Sequence, residues 1–132
     1  MALQFTQIRE TCLYSTDLDA MKAFYHSKLG LKIINYTEGS HLFLEAGNSV
    51  LLIFNPEESK HKKDIPRHFG AGELHFAFEV EPENYEKARQ LVMSQGIEIE
   101  HEHHWGKLRS FYFRDPGKNC VEILEGNIWE RD

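Results

Sequence analysis

Arg109-Ser110-Phe111-Tyr112-Phe113-Arg114-Asp115-Pro116-Gly117-Lys118-Asn119-Cys120-Val121-Glu122-Ile123-Leu124-Glu125-Gly126 reads as a β-hairpin. An aromatic strand over 110–114 and an apolar strand over 120–124 flank the turn formers Asp115 to Asn119. Side chains alternate between sheet faces, so Ser110, Tyr112 and Arg114 share one face and Phe111 and Phe113 the other. Val121 and Ile123 join the aromatic pair in a core. Glu122, between Cys120 and Leu124, then points to the opposite face. A carboxylate at a mid-sheet position among apolar neighbours is costly unless its charge is compensated, and a cation is the usual compensation. The bland alternative is that this face is simply wet.

Upstream of the hairpin the chain repeats itself. In the first half, the spacing predicts a strand over 7–16, with Ile8, Glu10, Cys12 and Tyr14 on one face, and a helix from the cap Asp17 to Leu29. Gly30 falls where a left-handed C-cap belongs. Strands follow over 31–36, 41–45 and 49–54, separated by Glu38-Gly39-Ser40 and Ala46-Gly47-Asn48. Residues 55–72 are polar and aperiodic and read as a linker. The pattern restarts with a strand over 73–80 and a helix opening at Pro82, with Tyr85, Ala88, Leu91 and Val92 on one stripe and Gly96 past its end. A strand over 97–104 and the hairpin complete the second unit. The expected fold is α+β: two βαβββ modules, about residues 5–55 and 73–127 joined by a linker at 56–72, forming a single domain with a curved mixed sheet. Neither module can bury its own open face, so two must associate.

Composition narrows the function. A chain of 132 residues, 41% hydrophobic, is long enough for one real core and too short for two independent domains. The formal net charge of -6 and a single basic run, Lys60-His61-Lys62-Lys63, offer no footprint for nucleic acid or an anionic membrane surface. Cys12 and Cys120 are too far apart in sequence to form a close ligand pair. No signal region or long apolar run is evident, and the expected location is a reducing cytoplasm. Cys12 faces the same way as Glu10 by parity, but nothing nearby in sequence lowers its pKa, so it reads as a small core filler.

Asp17-Leu18, Phe24-Tyr25 and Leu29-Gly30 in the first half, with His75-Phe76-Ala77-Phe78, Ser110 to Pro116 and Val121-Glu122 in the second, resemble the vicinal oxygen chelate superfamily. That superfamily includes glyoxalase I, extradiol dioxygenases, methylmalonyl-CoA epimerase, fosfomycin-resistance thiol transferases and bleomycin-binding proteins. The resemblance covers nearly the whole chain and is specific for the superfamily rather than for one activity. It implies two modules curled into a cup around a divalent metal, with His75 and Glu122 as ligands from the second module. In the first module the usual His is replaced by Glu10, and the position aligned with Glu122 is Leu51, reading Asn48-Ser49-Val50 against Asn119-Cys120-Val121. A leucine cannot ligate, so the resemblance leaves Glu10, His75 and Glu122, a set that suits Zn, Mn, Fe, Co or Ni.

Glu10 remains open between a ligand, a general base and a sign of lost metal. In the last case a carboxylate near another would need a proton or a salt bridge to Arg109 or Arg114. Ser110 and Tyr112 match cup-facing hydroxyls of the family, Trp105 and His104 match rim positions, and Arg109 and Arg114 are candidates for an anionic substrate group. The run His101-Glu102-His103-His104 looks like a metal cluster, but on a strand His101 and His103 point away from His104, and a solvated edge strand is the favoured reading. The resemblance therefore implies a metal-dependent enzyme acting on a small oxygen-bearing substrate, of lyase or isomerase type with Glu10 and Glu122 catalytic. Its alternatives are a thiol transferase or a dioxygenase, or a metal-free sequestering protein. The expected partners are a small-molecule substrate and, on resemblance alone, a second copy in a homodimer.

Overall fold

The computed structural model describes residues 2–130. Its elements are β1 (Glu10–Tyr14), α1 (Leu18–Lys22, running into a π-helical segment Ala23–Lys28), β2 (Lys32–Thr37), β3 (His41–Ala46), β4 (Ser49–Phe54) and α2 (Pro56–Ser59). After the linker come β5 (His75–Val80), a 3-10 turn Pro82–Asn84 leading into α3 (Tyr85–Ser94), β6 (His101–Trp105), β7 (Leu108–Arg114) and β8 (Cys120–Glu125). Two four-stranded mixed sheets result, ordered β1-β4-β3-β2 and β5-β8-β7-β6. The two modules share one topology, and the sheets do not close into a barrel. Each module begins with a strand parallel to its last one, β1 with β4 and β5 with β8, and these first strands are sheet edges.

The first helix departs from the continuous α-helix expected over 17–29. Asp17 caps it as expected, accepting from Ala20 N at 3.0 Å. From Ala23 the turns widen, and Leu29 N donates to Phe24 O, five residues back, at 3.0 Å. The extra residue per turn lets the adjacent Phe24 and Tyr25 both enter the core, where they pack edge to face. That core is shared between the modules: Phe24 packs on Phe113, Tyr25 on Phe76, and the Tyr25 hydroxyl donates to Asp115 Oδ2 at 2.6 Å. Asp115 also accepts from Asn119 N and Nδ2, so one buried carboxylate ties the first helix to the hairpin turn. Each large apolar side chain buried here contributes about 1.5–3 kcal/mol. On α3, Tyr85 and Val92 are buried, whereas Leu91, placed on the same stripe from spacing, is exposed.

The hairpin forms as its alternation requires. Tyr112 pairs with Glu122 and Phe111 with Ile123, while Phe111, Phe113 and Val121 are fully buried. In its turn Lys118, rather than the glycine, takes the left-handed conformation. Gly117 sits close to the turn's own side chains, and a Cβ there would lie 3.1 Å from Asn119 Nδ2. The linker is more ordered than its polar composition suggests. Ser59 Oγ donates to His68 O, Tyr14 OH bonds His68 Nδ1 at 2.7 Å, and the His68 ring stands edge-on to Phe54. Gly70 lies so close to the Tyr14 ring that a Cβ would fall 2.4 Å from it. The linker is thus strapped across the face of the first sheet that carries Tyr14 and Phe54.

Candidate metal centre

The apolar faces of both sheets merge in the shared core, so their other faces turn away from it. On the second sheet, strand register puts His75 and Ala77 of β5, Cys120 and Glu122 of β8, Ser110 and Tyr112 of β7, and His101 and His103 of β6 on this outer face. His75 Nδ1 lies 2.9 Å from Cys120 O, and because a carbonyl only accepts, Nδ1 carries the proton. In the neutral ring Nε2 then presents a lone pair, 3.2 Å from Glu122 Oε1. Glu122 is 7% exposed against 52% for His75, and its second oxygen, Oε2, is buried without a hydrogen-bond partner among the described residues. A proton on His75 would satisfy Oε1 alone. A cation satisfies the facing acceptors and the orphaned Oε2 together, so imidazole and carboxylate fit a divalent metal by the chemistry of their donor atoms.

Around this pair, Tyr112 stacks on His75 with ring centroids 6.3 Å apart. Burial raises the Tyr112 pKa above its ordinary value, and the Glu122 carboxylate adds to the effect. The phenol therefore stays protonated as a hydrogen-bond donor. Burial likewise raises the Cys120 thiol, which argues against a nucleophilic role. Ser110 shares the face but is fully buried, and its hydroxyl accepts from Trp105 Nε1 at 2.9 Å, so it positions the indole. Trp105 itself is exposed on this face.

Both arginines are engaged elsewhere. Arg109 lies on the opposite face, forked onto Glu125, bonded to Glu86 and stacked on Tyr85 with its guanidinium 4.5 Å from the ring centroid. Arg114 keeps the outer face but is bonded to Glu100 and paired with Glu73. Strand parity also takes His104 off the face, opposite Arg109.

In the first module, Glu10 pairs with Val50 as His75 pairs with Cys120. The position matching Glu122 is consequently Leu52, and the assignment to Leu51 is corrected by one residue. Leu51 is 1% exposed in the core, and a one-residue slip exchanges the two faces of a strand. The chemical consequence is unchanged, since neither leucine can ligate. Among the described residues no group of three or more His, Cys, Asp or Glu side chains converges, so Glu10 does not join His75 and Glu122 within one chain. It lines a groove of about 1190 Å³ with Thr11, Phe76, Phe78 and Leu29, between the unpaired edges of β1 and β5. Strand parity separated His101 and His103 from His104 in the sequence without assigning them a face; the pairing of β6 with β7 puts them beside Trp105 on the outer face and His104 on the other.

Residues 7–123 match the sequence profile of the Glyoxalase/Bleomycin resistance protein/Dioxygenase superfamily. The chain belongs to this superfamily. A crystal structure described as lactoylglutathione lyase from Agrobacterium tumefaciens is 36% identical with a TM-score of 0.89, covering 96% of this chain and 98% of that one. A glyoxalase family protein from Enterococcus faecalis is 26% identical (TM-score 0.68, covering 92% and 98%). A glyoxalase/bleomycin resistance protein/dioxygenase from Nocardioides, 22% identical at a TM-score of 0.74 and covering 99% and 92%, shows the superfamily fold alone. No curated protein matches the chain. No helix among the described residues is long and apolar enough to cross a membrane.

Proposed function

We propose that this superfamily member is a divalent-metal-dependent lyase or isomerase acting on a small oxygen-bearing substrate, with lactoylglutathione the first compound to assay, given the Agrobacterium relative's name. The observation that carries the reading is the buried Glu122, whose Oε1 faces Nε2 of His75 and whose Oε2 has no hydrogen-bond partner among the described residues. These two residues would hold the ion. A bound divalent ion supplies Lewis-acid polarisation of a substrate oxygen. Tyr112 donates a hydrogen bond from a phenol kept neutral, and Trp105 provides a flat apolar wall. Glu10 enters from a second copy, as third ligand or as base. Its exposure, the unpaired edges of β1 and β5, and its separation from His75 within one chain all support a homodimer that completes the site.

Dialysis against Zn, Ni, Mn or Fe(II) should leave about one ion at this centre, and His75→Ala or Glu122→Gln should abolish the retention of Mn. Wild-type protein that retains none of these ions would remove the enzyme reading. A second reading, metal-free sequestration, draws on the first sheet's outer face, where Leu52 and its pair Phe43 lie beside the part that the linker covers at Tyr14 and Phe54. Tight binding of a flat ligand by metal-free protein, without turnover, would support it.

A further inference from the structure

On the outer edge strand β6, His101 and His103 project from the same face, one residue apart, and both are exposed. His101 Nε2 lies 3.3 Å from His103 Nδ1. Two nitrogens bound at about 2.0–2.1 Å to a tetrahedral zinc ion lie about 3.3–3.4 Å apart, so the rings already hold the separation that chelation requires. The same distance fits a hydrogen bond between neutral imidazoles, and a small tilt of two exposed rings converts one arrangement to the other. Among the described residues no carboxylate is hydrogen-bonded to either ring. His103 packs against Trp105, with centroids 4.5 Å apart, and His101 against Tyr112 at 5.8 Å.

We infer that His101 and His103 form a second metal site, separate from the His75–Glu122 pair, that takes a borderline divalent ion such as Zn2+, Ni2+ or Cu2+ and leaves its remaining positions open towards the outer face. Two imidazoles without a carboxylate select these ions over Mg2+ and Ca2+, which prefer oxygen ligands. Because Trp105 packs directly on one ligand, an ion held there acts on the same surface that a substrate of the first centre would touch.

The test uses full-length His75→Ala/Glu122→Gln protein, so that the first centre contributes nothing; Glu122→Leu alone is the second background should that pair misfold. Calorimetric titration with Zn2+ should show one ion per chain, and His101→Gln or His103→Gln should each weaken it by more than about 10-fold. In a Trp129→Phe version, Cu2+ should quench Trp105 fluorescence, and His101→Gln/His103→Gln should remove the quenching. Mg2+ should give neither signal. Zn2+ binding of equal affinity with and without the two histidines, or no Zn2+ binding in either background, would overturn the inference, whatever the first centre proves to do.

Discussion

Glu122 is placed where its charge works against folding. Its side chain is almost fully buried, one oxygen faces Nε2 of His75 and the other has no partner among the described residues. An unsatisfied buried polar group costs about 1–3 kcal/mol, and such local costs concentrate at functional sites. The first module shows the apolar solution at the matching position, Leu52. Glu122→Leu should therefore raise the stability of metal-free protein by about 1–3 kcal/mol while abolishing the retention of Mn, as read by urea unfolding and metal analysis of the same samples. A variant less stable than the metal-free parent would mean that Glu122 has a structural partner in solution.

At the scale of elements, the pairing of β7 with β8 is reinforced on the helix side by an ion pair. The forked hydrogen bonds from Arg109 hold the Glu125 carboxyl below its ordinary value, and Glu125 is only 13% exposed. A depressed folded-state pKa stabilises above the unfolded value near 4.5 and loses that contribution as pH falls through the folded value. Arg109→Met also removes the stacking on Tyr85, and should destabilise by about 2 kcal/mol at pH 7. The difference from wild type should narrow as pH falls below about 4.5, measured by urea unfolding at pH 7 and pH 3. A pH-independent difference would assign the whole effect to packing.

For the molecule as a whole, each first strand is an edge with an unpaired side, and Glu10 and His75 occupy the same register position in the two modules. An exposed edge invites pairing with another chain. If a second copy completes the centre, Glu10→Ala and His75→Ala proteins, each inactive, should regain activity when mixed and allowed to exchange subunits. Up to one intact site per mixed dimer then forms, detected by turnover alongside light scattering at dimer mass. A monomer at all concentrations, or mixtures that stay inactive, would restrict the site to one chain.

The hairpin from Arg109 to Gly126 and its echo in the first half carried the fold, because strand alternation, turn formers and helix caps act over a few residues and are legible locally. The same alternation put Tyr112 beside Glu122 and separated both from the core. Parity could not set the relation between strands, so the one-residue step from Leu51 to Leu52 emerged only from the pairing of β1 with β4. Nor does polarity forecast long-range partners: Arg109 and Arg114 read as candidates for an anionic substrate group or a cup carboxylate, whereas Glu125, Glu86, Glu100 and Glu73 hold them. Local sequence thus determined which faces exist and which residues share them. Tertiary structure decided which side chains meet, because hydrogen bonds and ion pairs between distant segments depend on distances of a few ångströms that no local pattern encodes.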